Sequence, residues 1–174
     1  TVCIMNTMNS KELVPMDKKN IEEQITEYVL KYKENHYRLA YSYVKNADDA
    51  LDIVQESVYK AICSKDSIID PGYLKTWFYR ILVNTSIDFI RRNRKTEAMD
   101  EEIIINIDSG TADNYENFDL KKALDNLPDN YRTIVVLRYF EDLKFEEIAE
   151  ILNENLNTVK TRLYKSLKIL RIEM

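Results

Sequence analysis

The stretch from Tyr73 to Arg94 constrains the fold of this chain more than any other feature, because its apolar residues recur at the spacing of an α-helix. The residues that keep this spacing are Leu74, Phe78, Ile81, Leu82, Thr85 and Phe89. Residues three or four positions apart lie on the same side of a helix. The spacing therefore predicts a long helix that buries one face.

A second set of residues follows the same period on another face of this helix. Its members are Trp77, Arg80, Asn84, Asp88 and Arg91. This face is aromatic at one end, carries an amide and an acid in the middle, and is cationic at the other end. Such a surface can stack on unpaired bases, hydrogen-bond to base edges and hold phosphates. The alternative is an ordinary core helix with Trp77 and Tyr79 half buried, and this stretch alone does not separate the two.

Glycine and proline are scarce, with two and three copies among 174 residues. Because hairpins and barrels need these residues at their turns, the composition favours an all-α fold. No apolar run approaches the length of about 18 residues that a membrane helix needs, and the first residues lack the pattern of a secretory signal. Cys3 and Cys63 form no CxxC pair and His36 is the single histidine. We therefore expect no metal site, no cofactor, and a reduced cytoplasmic chain.

The net charge of −5 is concentrated in one part of the chain. Residues 99–118 hold six carboxylates and no lysine or arginine, whereas the parts on either side are close to neutral. The acidic total therefore does not argue against binding of nucleic acid by the flanking parts. A cationic cluster, Arg91 to Lys95, ends the long helix and exceeds what a helix C-terminus requires, which suggests phosphate contact.

These patterns divide the chain into four parts: a tail (1–19), a helical domain (20–95), an acidic linker (96–117) and a second helical domain (118–174). The first domain begins with a helix from Asn20 to about Val44 whose phase slips near Asn35 and His36. We expect a break there, and we expect His36 to be a surface or boundary residue.

A strongly amphipathic helix follows from Asp48, where carboxylates complement the positive end of the helix dipole. Its predicted apolar face consists of Ala50, Leu51, Val54, Val58, Ala61 and Ile62. The opposite face carries Asp52, Gln55, Glu56 and Tyr59. The simplest interpretation is a solvated acidic face. Cys63 at the end of the helix is expected to be a small buried thiol, and residues 64–72 form a loop.

The second domain has the pattern of a helix-turn-helix. Lys144 to Leu152 predicts a short helix, Asn153 to Asn157 a turn, and Thr158 to Arg171 a last helix with scattered cations. The last helix would lie in the major groove of DNA. The alternative is a helical hairpin within a bundle.

Taken together, these motifs resemble the extracytoplasmic-function group of bacterial sigma factors. The resemblance spans about Tyr28 to Leu170. DALDIVQESVYKAI resembles their region 2.2, TWFYRILVNTSIDFIRR their regions 2.3–2.4, and the helix-turn-helix with the helices before it their region 4. The chain departs from the family at Asn153 and Asn157, where glycine is common, and at Glu154, where an apolar residue is usual.

The resemblance implies a dissociable specificity subunit of RNA polymerase. It implies that core polymerase docks on Asp52, Gln55 and Glu56. The residues implied for the melted −10 strand are Ile68, Trp77, Tyr79, Arg80, Ile81, Asn84, Asp88 and Arg91. Those implied for the −35 duplex are Asn157, Thr158, Lys160, Thr161, Arg162, Tyr164 and Lys165. It also implies a cognate anti-sigma factor, often membrane-anchored, as a partner, and a role in stress-response transcription.

Two other classes of function stay open from the residues. A stand-alone helix-turn-helix regulator would bind duplex DNA without polymerase, but it leaves the face from Trp77 to Asp88 unexplained. A helical enzyme lacks support, because two glycines offer no phosphate-cradling loop and one histidine offers no catalytic dyad. We therefore expect no catalytic residues.

Overall fold

The computed structural model describes residues 18–97 and 115–173. Within these ranges every regular element is helical, and no strand occurs. The predicted all-α fold is confirmed. Nearly all of the predicted tail (1–19) and of the predicted acidic linker (96–117) lie outside the described residues.

Four helices form the first half: α1 (Lys18–Lys31), α2 (Lys33–Val44), α3 (Ala47–Cys63) and α4 (Leu74–Glu97). The break between α1 and α2 falls at Tyr32 and not near Asn35 as the phase slip predicted. Helix α3 begins where the side chain of Asn46 accepts a hydrogen bond from the amide of Asp49, which satisfies a donor that the helix itself leaves unpaired.

The core of the first half forms where α2, α3 and α4 pack against one another and α1 packs on α3. Ile25, Leu39, Ile53, Phe78 and Leu82 are fully buried there. Burying a side chain of this size stabilises a fold by about 1.5–3 kcal/mol. These contacts hold α3 and α4 side by side, with their polar faces turned outward.

Three expectations about burial in this half were wrong. His36 is completely buried and not at the surface, because it fills a gap between the rings of Tyr28, Phe78 and Tyr79. Cys63 is exposed, because it lies two residues after the buried Ala61 and therefore on the other side of α3. Leu51 is also exposed, because the buried face of α3 is centred on Ile53 and not on the residues beside it.

The second half contains α5 (Tyr115–Asn126), α6 (Asp129–Val135), α7 (Phe145–Leu152) and α8 (Leu156–Glu173). A π-helical turn, Val136–Phe140, extends α6. Pro128 separates α5 from α6 and stands directly before the first residue of α6, where its fixed φ is tolerated. Asn153 ends α7 with φ of 51°, and this left-handed conformation is one that asparagine tolerates better than most residues.

The two halves pack directly against each other in this structure. Helix α4 lies against α7, and α2 lies against α6 and the π-helical turn. The hydroxyls of Tyr43 and Thr133 are 2.7 Å apart, and Lys45 Nζ donates to the carbonyl of Asp125 at 2.9 Å. The sequence patterns gave no indication of this contact, because each half carries its own helical periodicity.

Candidate nucleic-acid interface

The polar face of α4 lies at the surface, as the sequence predicts. Arg80, Asn84, Asp88 and Arg91 are exposed, and Trp77 is half buried. The indole Nε1 of Trp77 donates to Ser67 Oγ at 3.1 Å, which fixes the ring against the loop before the helix. Because Leu74, Phe78 and Leu82 are buried on the opposite side, this face cannot turn inward.

A groove lies between this face and the loop before α4, with a volume of about 520 Å³. We call it the α4 groove. Its lining comprises Ser64, Ser67, Ile68, Ile69, Asp70, Tyr73, Trp77, Arg80, Ile81, Asn84 and Glu150. The groove combines apolar and aromatic side chains with the amide of Asn84 and the guanidinium of Arg80, so it can hold a planar base and hydrogen-bond to its edge.

Ile69 is the loop residue that the sequence interpretation missed. It is 91% exposed, whereas its neighbour Ile68, named as a candidate, is only 8% exposed. Asp70 Oδ1 accepts from the amide of Gly72 at 2.8 Å, and this turn fixes the end of the loop. The sequence does contain a signal for the exposure of Ile69. Two apolar residues directly precede the Asp-Pro-Gly turn, and a short loop can bury only one of two adjacent side chains.

Tyr79 does not lie in the groove. Its side chain is 1% exposed and its hydroxyl donates to Glu141 of the second half. Burial, together with this hydrogen bond to a carboxylate, raises the pKa of Tyr79 well above its usual value. In this structure Tyr79 therefore cannot contact a base, contrary to its assignment as a −10 residue. It sits next to Phe78 on the inner side of α4.

The acidic face of α3 carries both exposed side chains and a carboxylate that forms ion pairs. Asp52 and Gln55 are exposed, whereas Glu56 is half buried and pairs with Lys60 at 2.9 Å and Arg92 at 2.8 Å. The hydrogen bonds from Lys60 and Arg92 hold the pKa of Glu56 below its usual value. Glu56 thus ties α3 to α4.

Two apolar side chains, Leu51 and Tyr59, are exposed on α3, 48% and 69% respectively. Since Leu51 adjoins Asp52 in sequence and Tyr59 follows Gln55 by one helical turn, this surface is both acidic and apolar. A surface of this composition is suited to a protein partner, because apolar side chains supply contact area and carboxylates supply orientation.

Fewer of the candidate −35 residues are exposed on the helix-turn-helix than the sequence predicted. Asn157, Thr161, Tyr164 and Lys165 are exposed along one side of α8. Three of the other candidates are half buried: Thr158, Lys160 and Arg162. Lys160 lies over the ring of Phe145, with Nζ 5.7 Å from its centre.

Arg162 is held by the turn of the helix-turn-helix. Its Nη1 lies 2.9 Å from Oε1 of Glu154, which stands where the family usually has an apolar residue. Asn155 Oδ1 accepts from the amide of Asn157 at 2.8 Å and caps the start of α8. In this arrangement the guanidinium of Arg162 is directed towards the turn and not outward with Lys165.

The described ranges, 18–97 and 115–173, contain no group of histidine, cysteine and carboxylate side chains arranged to hold a metal ion. None of their helices is long and apolar enough to cross a membrane.

Family models match both halves of the chain. The model described as Sigma-70 region 2 covers residues 28–96, and the model described as Sigma-70, region 4 covers residues 117–170. The first match contains α3, the loop and α4. The second contains the helix-turn-helix.

Two relatives from Bacillus subtilis match most of the chain. RNA polymerase sigma factor SigV is 57% identical over 143 residues, which is 82% of this chain and 86% of that protein. ECF RNA polymerase sigma factor SigW is 32% identical over 183 residues, which is 96% of this chain and 97% of that protein.

Among solved structures, the fold is similar to the sigma factor RpoE in complex with the anti-sigma factor NepR from Bartonella quintana. The TM-score is 0.73 at 25% identity, over 87% of this chain and 96% of that one. The similarity extends across both helical halves. Together with the two matched regions and the relatives, it shows that the chain belongs to the sigma-70 family of RNA polymerase sigma factors, in the extracytoplasmic-function group.

Proposed function

We propose that this chain directs core RNA polymerase to promoters by binding the −35 element as duplex and capturing the −10 element as melted strand. The observation that carries the proposal is the presence of two different exposed surfaces on two helices. The α4 groove is suited to unpaired bases, and the outer side of α8 is suited to a major groove. A stand-alone regulator has no use for the first of these surfaces.

Core polymerase would dock on the exposed face of α3. Asp52 and Gln55 are available for intermolecular contact, with Leu51 and Tyr59 beside them. Glu56 would contribute mainly by fixing α3 against α4, since Lys60 and Arg92 already engage its carboxylate.

The α4 groove would trap bases that have left the stack. Unstacking costs a few kcal/mol per base, and each stack on an aromatic ring can return about 1–3 kcal/mol. Trp77 and Tyr73 supply rings, while Asn84 and Arg80 supply hydrogen bonds. Binding energy thus drives strand opening without covalent chemistry, so the proposed role is that of a regulatory subunit and not of an enzyme.

The −35 duplex would meet the exposed side of α8. Thr161, Tyr164 and Lys165 lie where the second helix of a helix-turn-helix approaches base edges, and Asn157 lies at its N-terminal end. Arg162 and Lys160 would support this surface from the side, since one is bound to Glu154 and the other lies over Phe145.

We also propose an anti-sigma factor as a partner of this chain. The supporting observation is that the similar RpoE structure is a complex with the anti-sigma factor NepR. A protein acting with RNA polymerase works in the cytoplasm, and we place this chain there. Control of stress-response genes follows from the same family relationship.

Affinity capture of core RNA polymerase tests the proposal. A tagged chain is incubated with core enzyme from Bacillus subtilis, the source of the 57% identical relative. We expect core enzyme to be retained, and we expect the complex to select discrete fragments from genomic DNA. Selection of the same fragments by the chain without core enzyme, with no retention of core, would favour the stand-alone regulator instead.

A further inference from the structure

One carboxylate crosses from the second half of the chain into the first. Glu141 follows the π-helical turn that extends α6, and its side chain is 1% exposed. It is inserted between α2 and α4, next to the ring of Tyr79. A carboxylate buried to this extent is costly unless hydrogen bonds and charges compensate it.

The compensating groups belong to the first half. Asn35 Nδ2 donates to Glu141 Oε2 at 2.8 Å, and the Tyr79 hydroxyl donates to the same oxygen. Arg38 Nη1 lies 3.7 Å from Oε1, so it offers charge but no hydrogen bond to this second oxygen. Lys75 Nζ donates to the backbone carbonyl of Glu141 at 2.8 Å. Helices α2 and α4 together therefore provide a socket for one residue of the other half.

This contact differs from an apolar core contact, because the groups that it exposes on breaking are polar. If the halves separate, Glu141, Asn35 and the Tyr79 hydroxyl all return to water, which satisfies them again. The neighbouring contacts between the halves, Tyr43 with Thr133 and Lys45 with a backbone carbonyl, are also polar. The halves also share apolar packing within one core, so their interface combines apolar and polar contacts, and a polar component is typical of domains that move relative to each other.

The packed arrangement conflicts with promoter binding in two ways. It buries Tyr79, and it places the carboxylate of Glu150 from α7 at the rim of the α4 groove, where it would repel phosphates. By their numbering, the −10 and −35 elements lie about 25 base pairs apart, or roughly 85 Å at about 3.4 Å per pair. A compact chain of 174 residues has a radius of gyration of only about 16 Å.

We propose that Glu141 is a latch that holds the helix-turn-helix half against α4, with Glu150 at the rim of the α4 groove, so that the free protein is closed and inactive for promoter binding. The inference rests on the proposed function for its biological meaning, but the closed state itself does not. Polymerase binding would stabilise the separated halves and release the latch, since a partner can shift an equilibrium only by preferring one of the two states.

Small-angle X-ray scattering on the full chain, without polymerase or DNA, tests the latch. Glu141→Ala removes the carboxylate, and Asn35→Ala removes a donor from the opposite half. Asp142→Asn is the matched control, because it also deletes one negative charge, is exposed, and keeps a residue that tolerates the left-handed backbone at φ of 50°. Circular dichroism verifies that helix content is unchanged in each variant.

We expect the wild type and Asp142→Asn to have the radius of gyration of a compact chain, and both latch variants to exceed it by roughly half. Losing a charge-assisted hydrogen bond should shift the closed-to-open ratio about tenfold or more. An extended wild type, or latch variants as compact as the wild type, would overturn the proposal.

Binding of a fluorescent single-stranded oligonucleotide of mixed sequence then tests inhibition. We expect Glu141→Ala and Asn35→Ala to bind it several-fold more tightly than the wild type and Asp142→Asn do. Equal affinities in expanded variants would refute the inhibitory role. Failure of the chain to retain core polymerase would refute the proposed function and leave the scattering result standing.

Discussion

His36 shows how strongly the surroundings of one residue decide its chemistry. Its Nε2 lies 3.4 Å from the Tyr28 hydroxyl, and its Nδ1 has no hydrogen-bond partner. Burial lowers the pKa of His36 to about 4 from its ordinary value of 6.5. The fold therefore holds the neutral imidazole, and protonation opposes folding.

This burial predicts a pH dependence of stability. The unfolded chain takes up a proton below about pH 6.5, whereas the folded chain does so only near pH 4. The free energy of unfolding should therefore fall as pH falls through this window, by up to about 1.4 kcal/mol per pH unit from this residue. Urea titrations of the wild type and of His36→Leu between pH 7 and pH 4 measure the difference. Parallel curves for the two proteins would contradict this assignment.

Glu154 gives a second prediction at the scale of single residues. Its carboxylate pairs with Arg162, and both side chains are partly exposed, so the pair should stabilise the fold by no more than about 1 kcal/mol. Glu154→Ala should therefore change thermal stability little. Its main effect should be on DNA, because it frees a cation and removes an anion beside α8. We expect the complex with core polymerase to bind −35 duplexes more tightly and with less sequence preference.

Competition binding with matched and scrambled −35 duplexes measures this effect. Glu146→Ala is a useful control, since it removes an exposed carboxylate of α7 that has no ion pair with Arg162 and does not line the α4 groove. A specificity ratio that stays constant in Glu154→Ala would show that the ion pair has no part in recognition.

At the scale of elements, α3 should carry the contact with core polymerase. Asp52→Lys reverses a charge that has no ion-pair partner among the described residues. We expect it to reduce retention of core enzyme at least tenfold with unchanged helix content. Asp48→Lys is the control, because it reverses a charge at the start of the same helix. Equal retention by Asp52→Lys and wild type would remove α3 from the interface.

Substitutions on α4 and on α8 should impair different steps, strand opening and duplex binding respectively. Asn84→Ala should spare binding to duplex promoter and impair strand opening, because it removes a group from the α4 groove. Lys165→Ala should weaken duplex binding, by about 1–3 kcal/mol if Lys165 contacts a base. A template that is already melted at −10 should rescue Asn84→Ala and leave Lys165→Ala defective. Permanganate footprinting on linear and melted templates distinguishes the two, and equal rescue of both variants would contradict the division of roles.

Helical periodicity predicted the elements well and the burial of individual residues less well. The exposed face of α4 from Arg80 to Arg91 follows from local spacing, and the turn that begins at Asn153 follows from the asparagines there. Spacing within one helix cannot show that a second half covers Tyr79, or that aromatic rings from α1 and α4 enclose His36. These depend on contacts between residues far apart in sequence, which no local pattern contains.

At the scale of the whole molecule, charge distribution sets the behaviour of the free chain towards DNA. The parts of the chain before and after residues 99–118 are near neutral overall, and residues 99–118 carry six carboxylates without a cation. We expect the free chain to bind promoter duplex weakly, with little salt dependence, because few phosphates are neutralised. Fluorescence anisotropy at about 50 and about 200 mM salt, a roughly fourfold change in ionic strength, measures how steeply the binding constant falls with salt. The measurement is made with and without core enzyme. A steep slope for the free chain would contradict this expectation.

The position of Trp77 has one more consequence. It is the single tryptophan of the chain, and its indole lines the α4 groove with Nε1 bound to Ser67. Light emitted on selective excitation of tryptophan therefore originates from one place, the surface proposed to receive the melted strand. A base stacked on that ring quenches it, so the unlabelled protein carries its own optical reporter, and stopped-flow fluorimetry can time the capture of the strand directly.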